Sequence, residues 1–224
     1  MTSSSRDTIL ESIRSHLAAS VSHDKRELEV TVLSAVEPGR SQTPVSLVNL
    51  FKQNLEAVDA HCVITRGEAG IARALTQIIS DLQKTKLRAQ FIAISDVLAV
   101  EQLMHLTDLQ IEELTVVPSA SEIFRFDVGI TTAQAAIAET GTLVLDSAHE
   151  RHRLVSLVPP VHIAIIDGSR IYETMGEALS LLHNGDEISP TVTFVTGPSR
   201  TADIELTLAI GVHGPQELYV IVNE

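Results

Sequence analysis

Ile9, Ile13 and Leu17 recur at every fourth position near the start of the chain, with Arg6, Asp7, Glu11 and Arg14 between them. That spacing predicts a surface helix over residues 6–20 with one narrow apolar face. So thin a stripe suits loose packing or a second subunit, which makes a homo-oligomer one expected arrangement. Residues 23–42 are polar and aperiodic, with Pro38-Gly39 inside them, and read as a connecting segment. Thr43-Pro44 is then a helix start, an N-cap hydroxyl followed by proline at the first helical position. Leu47, Leu50, Phe51, Leu55 and Val58 form the apolar face behind it. The expected organisation is an N-terminal helix and connecting segment over 1–42 and one domain over 43–224.

From Cys62 onward short apolar runs and amphipathic stretches alternate. Strands are expected at 62–65, 91–94, 114–117, 161–166, 192–195 and 218–222. Helices are expected at 67–82, 97–104 and 172–182, and a polar loop at 184–190. The runs are continuous rather than alternating, as in strands covered on both faces, so the pattern predicts a mostly parallel α/β sheet with helices on both sides. The segment from Phe126 to Ala148 departs from this. It is rich in Ala, Thr and Gly, lacks a helical period, and predicts a hairpin or strand pair set among the βα units, with Gly141 at a special φ.

Composition narrows the function classes. A hydrophobic fraction of 44% in 224 residues supports a sizeable core, built without Trp and with only 3% aromatics. A formal net charge of -13 argues against nucleic acid and anionic lipid as partners, since both need a basic footprint. The single cysteine, Cys62, excludes an internal disulfide and a four-thiolate cluster within the chain, and fits a reducing, cytoplasmic setting. The N-terminal stretch has no apolar h-region, and no run approaches membrane-spanning length.

The candidate chemistry gathers in two glycine turns. In the stretch from Thr196 to Glu205, TGPSRTADIE, a buried strand at 192–195 stops, Gly197-Pro198 turns the chain, and Ala202 to Ile210 reads as a helix. A helix N-terminus offers free N–H groups to an anion, and Arg200 adds a planar fork of donors. Arg200 reads equally well as the partner of a local acid. Glu139, before the turn Thr140-Gly141-Thr142, is the candidate general base or nucleophile. It also reads as a carboxylate held by the turn's own backbone, and Asp127 and Asp146 beside it read either as its partners in acid/base work or as turn formers. The expected ligand-binding set is Thr140, Gly141, Thr142, Gly197, Ser199, Arg200, Thr201 and His213. No metal is expected, because His149 and His152 lie three apart, not at the four-residue spacing of H-E-x-x-H.

Three segments, GITTAQAAIAETGTLVLD, RHRLVSLVPPVHIAII and TGPSRTADIELTLAIGVHGPQEL, occur in the order and spacing that resembles the LUD domain, the LutC/YkgG family of lactate utilization proteins. The resemblance covers roughly residues 45–224 and is to the subgroup of lactate utilization protein C, which consists of this domain alone. It implies a NagB/RpiA/CoA-transferase-like fold with a small β insertion. It also implies an accessory subunit that supports oxidation of L-lactate to pyruvate beside iron–sulfur partner subunits and binds a small organic anion. The clusters would sit only in those partners, with no cofactor in this chain. The residues themselves leave two other readings open. One is a stand-alone isomerase or acyl/CoA-transfer type enzyme using Glu139, and the other is a metabolite-binding regulatory protein.

Overall fold

Unbroken apolar runs become parallel strands in the computed structural model, which describes residues 5–20, 44–149, 152–182, 191–202, 208–210 and 214–224. The chain divides into two compact units, Met1–Ser41 and Gln42–Glu224. In the first, α1 (Ser5–Ser20) carries Ile9 and Ile13 exposed to solvent.

The second unit opens with α2 (Pro44–Glu56), β1 (His61–Thr65), α3 (Gly67–Gln83), β2 (Phe91–Ile94), α4 (Leu98–His105) and β3 (Glu113–Val116). Next come β4 (Val128–Thr132), β5 (Ala135–Ile137), β6 (Thr142–Asp146), α5 (Leu154–Leu157) and β7 (Val161–Asp167). The last part holds β8 (Ile171–Tyr172), α6 (Met175–Leu182), β9 (Val192–Val195), β10 (Arg200–Ala202), β11 (Leu208–Ile210) and β12 (Glu217–Asn223).

Six strands pair in the order β1-β12-β7-β4-β2-β3, and every pairing is parallel. One face is covered by α3 and α4, whose Leu75, Ile79, Val100 and Leu103 pack on Ile92, Ile130, Ile163 and Ile221. The other face, carrying Cys62, Ala164, Leu218, Val220 and Val222, packs against Phe51 and Leu55 of α2 and Leu143 and Leu145 of β6. Each fully buried Leu, Ile or Phe contributes about 1.5–3 kcal/mol through removal from water, so the two faces hold the sheet from both sides.

The expected insertion is a second sheet of four strands, β8-β5-β6-β9. Its centre is the antiparallel hairpin β5–β6. Alternation splits its side chains between the layers. Leu143 and Leu145 point to the main sheet, while Ala135, Ile137 and Val144 pack against Ala178 of α6.

Three element expectations change. The Ala-Thr-Gly-rich segment is divided between sheets, since β4 joins the parallel sheet beside β7 and β2. The helix expected from Tyr172 begins at Met175, because Ile171 and Tyr172 pair with β5 and the Glu177 carboxylate accepts the N–H groups of Glu173 and Thr174 at 3.0 and 3.4 Å. The strand at 192–195 is half-buried rather than buried, with Phe194 41% exposed, because β9 edges the smaller sheet. The expected connecting segment at 23–42 and loop at 184–190 lie outside the described residues.

Candidate functional site

Both glycine turns close on the C-terminal end of α2. Leu143 of β6 lies opposite Val195 of β9, so the turn before β6 and the turn after β9 are side by side. Gly141 and Gly197 have φ of 64° and 80°, the left-handed region where a side chain is strained. A Cβ on Gly141 would fall 2.4 Å from the Leu55 nitrogen, and one on Gly197 2.8 Å from the Val58 oxygen. Asn54 Nδ2 donates to the carbonyls of Ala138 and Glu139 at 2.7 and 3.1 Å. A chain of hydroxyls links the bends, Thr140 to Thr142 at 2.7 Å and Thr142 to Thr196 at 2.7 Å. The expected bends therefore meet, with α2 packed into the space between their glycines.

The helix expected after Arg200 is a correction. Arg200–Ala202 is strand β10, paired antiparallel with β11, with Arg200 opposite Ile210. The sequence carries the reason: Ile204, Leu206, Leu208 and Ile210 alternate with period two, which is a strand pattern. No helix N-terminus stands at Ser199-Arg200, so the backbone dipole assumed there is absent. The Arg200 guanidinium donates to Asp59 and, at 3.0 Å, to the Val58 carbonyl. Asp59 sits at φ 62° where the chain leaves α2, a conformation Asp tolerates better than most residues. Arg200 thus takes the local-acid reading. His213 and the side chain of Thr201 lie outside the described residues.

Glu139 is exposed, and its Oε1 accepts the Met175 N–H at the start of α6 at 3.2 Å. Asp127 accepts the N–H groups of Gln90 and Phe91 at 2.9 and 3.1 Å. Asp146 accepts the Ala148 N–H at 2.9 Å and lies 3.2 Å from His149 Nδ1. The three acids thus serve three separate pieces of backbone. His152 Nε2 faces Asp96 at 3.8 Å, and among the described residues no three metal-ligating side chains come together. Cys62 is buried on β1, and burial pushes its thiol up to about 12. One such cysteine does not fit an iron–sulfur cluster.

The concave site lies beside the second glycine turn, on the sheet face under α5. Gly129 lets α5 approach: a Cβ there would fall 1.8 Å from the Val155 carbonyl oxygen. Ser199 N–H donates to the Pro215 carbonyl at 2.8 Å, joining the two halves of the C-terminal motif into a wall. Between that wall, α5 and the strands is a cavity of about 190 Å³, with Ser156, His162, Phe194, Thr196, Ser199 and Leu218 on its lining. His162 and Leu218 are register partners one residue into β7 and β12. The cavity therefore lies over the amino-terminal part of these strands, away from the carboxyl ends where open α/β sheets most often bind ligands. Ser156 also borders a second cavity of about 10 Å³, lined by Thr131, Ser147, Arg153, Thr191 and Thr193 as well, with room for roughly one water.

His162 is completely buried. Its Nε2 lies 2.9 Å from Thr131 Oγ1, and its Nδ1 has no hydrogen-bond partner. Loss of hydration holds the imidazole down to about 4, so it is neutral at physiological pH. The ligand-binding set expected from the sequence holds none of His162, Ser156 and Arg153. The visible signal was a polar ring inside the apolar run VHIAII, since a histidine in a covered strand needs a partner.

The LUD domain profile matches residues 48–222. An uncharacterized protein of Neisseria meningitidis serogroup B is 48% identical over 99 residues, 42% of this chain and 41% of that one. Lactate utilization protein C of Bacillus licheniformis is 40% identical over 103 residues, 44% of this chain and 43% of the relative. The protein of the same name from Bacillus subtilis has the same identity and coverage. The chain thus spans about two fifths of the length of these curated relatives, 41–43%. A crystal structure of a DUF162 family protein from Deinococcus radiodurans superposes with a TM-score of 0.63 at 20% identity, covering 82% of this chain and 100% of that one; the likeness is one of fold.

Proposed function

The chain belongs to the LUD domain family, and from that premise we propose that it is a lactate utilization protein C-like subunit. It supports the oxidation of L-lactate to pyruvate together with iron–sulfur partner subunits, and it binds a small organic anion. The oxidation releases two electrons and two protons. With only the buried Cys62 in this chain, the electrons pass to the partners' clusters and the protein's own part is to hold the anion. The observation that carries the reading is the 190 Å³ cavity, whose lining brings Ser156, Thr196 and Ser199 together with the buried His162. An apolar recess with a few convergent polar groups is what a small-molecule site needs.

The positive charge moves from Arg200 to Arg153. Arg200 is engaged by Asp59, whereas Arg153 borders the adjoining small cavity and has no ion-pair partner among the described residues. The anion's carboxylate lies toward Arg153, past Ser156, which is common to both cavities and whose hydroxyl donates to the Arg153 carbonyl at 2.8 Å. Glu139 is not among the residues lining either cavity, so it has no part in this reading.

Deletion of the gene is expected to abolish growth on L-lactate, and affinity purification to recover iron–sulfur subunits. Arg153→Gln is expected to weaken L-lactate binding about tenfold, the loss of a charge-assisted hydrogen bond. Normal growth on lactate together with no recovered iron–sulfur partner would end this reading.

A further inference from the structure

We infer that β1 is the seam of a homodimer, pairing antiparallel with β1 of a second copy about a twofold axis, so that two six-stranded sheets join into one. The inference stands apart from the lactate reading, since β1 lines neither cavity.

The main sheet has two outer strands, β1 and β3, and they are built differently. An outer strand presents a row of unpaired N–H and C=O groups, which natural proteins blunt with charge, proline or a bend. β3 is guarded in all three ways. Its Glu113 carboxylate is held by Arg125 at 2.7 Å and by the Thr115 hydroxyl at 2.7 Å. Just past its end Val117 takes a left-handed φ of 52°, and Pro118 follows. β1 reads His61-Cys62-Val63-Ile64-Thr65 and holds no acid, lysine, arginine, proline or glycine. Its inner side bonds to β12. Among the described residues no hydrogen bond reaches its outer side.

A twofold contact must be self-complementary, and this strand fits itself. With the axis at Val63, that residue stands opposite Val63 of the second copy, Cys62 opposite Ile64, and His61 opposite Thr65. Val63 packs on the α3 face, and Cys62 and Ile64 on the α2 face, so each pair shares a face, as favourable cross-strand pairs do. Charge points to the same occupant. Helix α3 flanks this edge, since a Cβ on Gly70 would fall 3.2 Å from Thr65 Cβ. The axis sets α3 antiparallel to its copy. The charged residues of α3 and its capping Lys84 are Glu68, Arg73, Asp81 and Lys84, all exposed. Their signs alternate, negative first, so the reversed order is its own complement. Glu68 comes toward Lys84 of the second copy and Arg73 toward Asp81. Asp81 and Lys84 also pair within one chain, yet their side chains stay 56% and 72% exposed, open to a further partner. A head-to-tail arrangement would set like signs together, so the order selects the twofold.

The test uses the full chain. Analytical ultracentrifugation over a dilution series is expected to show a monomer–dimer equilibrium. Val63→Cys puts two thiols across the axis, with Cβ atoms about 4.5–5.5 Å apart, and mild oxidation is expected to give a covalent dimer on a non-reducing gel. The wild-type chain, whose buried Cys62 stands opposite an isoleucine, is expected to give none. Glu68→Lys is expected to weaken the dimer about tenfold, because each exposed ion pair is modest but occurs twice. Adding Lys84→Glu to that variant is expected to restore the affinity. A wild-type chain that stays monomeric throughout overturns the inference, whatever else covers β1. So does a wild-type dimer that forms no covalent link in folded Val63→Cys, or one whose affinity Glu68→Lys does not change. Glu68 and Lys84 are both exposed, so the charge exchange decides the matter even where Val63→Cys does not fold.

Discussion

Acidification from pH 7 to pH 5 is a clean perturbation of the buried imidazole. Burial lowers His162 from 6.5 in the unfolded chain to about 4 in the folded one. Below pH 6.5 the unfolded chain takes up a proton that the folded one does not. The stability that depends on the neutral ring is therefore complete above 6.5, declines as pH falls toward 4, and is steady below that. The gap corresponds to about 3 kcal/mol in all, and to about 2 kcal/mol between pH 7 and pH 5. A loss of that size is a large fraction of the ~5–15 kcal/mol that holds a typical domain together.

Carboxylates with lowered values do not obscure the window. Asp81 is held down by a hydrogen bond from Lys84, Glu113 by Thr115, Glu122 by Ser119 and Asp167 by Ser169. All four are therefore held below the ordinary carboxylate range. The assay is urea denaturation at half-unit pH steps for the wild-type protein and His162→Gln, which keeps the Thr131 bond without a titrating ring. The wild-type curve is expected to fall by about 2 kcal/mol more than the variant's between pH 7 and 5. Parallel curves would show that His162 is solvated or already charged, contrary to its burial and single partner.

Gly141→Ala is expected to destabilise the fold by about 3 kcal/mol, combining a left-handed φ with overpacking against the Leu55 backbone; a denaturation shift below about 1 kcal/mol would show that α2 can give way. Cys62, pushed up to about 12 by burial, is expected to resist iodoacetamide at pH 8 until the chain unfolds, and prompt labelling of native protein would contradict its burial on β1. The Arg200–Asp59 pair is solvent-exposed on the Asp59 side, so a double-mutant cycle with Arg200→Gln and Asp59→Asn should give a coupling below about 1 kcal/mol; a larger value would mean that the pair anchors β10 to α2. Glu139→Gln weakens the acceptor for the Met175 N–H and is expected to cost about 0.5–1 kcal/mol, the scale of a charged residue at a helix start, read from the same denaturation curves.

The alternation of apolar runs with amphipathic segments was enough to place α2, α3, α4 and the strands of the parallel sheet other than β4, because each is specified by residues within one or two turns of one another. Gly141 could be marked as a special bend for the same local reason. Ala202–Ile210 was misassigned where two local signals competed. Its Ala and Leu content favours a helix, while the period-two run from Ile204 to Ile210 favours a strand, and at its two described ends the pairing of Leu208–Ile210 with Arg200–Ala202 decides for the strand. The start of α6 moved because β8 takes Ile171 and Tyr172 into the smaller sheet, a preference imposed by β5 and not by the residues themselves.

The sequence by itself determined the fold class, the hairpin insertion and the family, since periodicity, turn chemistry and ordered motifs are short-range properties. It did not determine which group each polar side chain meets. Arg200 is 141 residues from its acid, Thr142 is 54 from Thr196, and His162 is 31 from Thr131. Such partners are chosen when β6 pairs with β9 and β4 with β7. Only then do two glycine turns close on α2, Arg200 turn to Asp59, and a histidine in an apolar strand meet Thr131 with one nitrogen and leave the other unpaired.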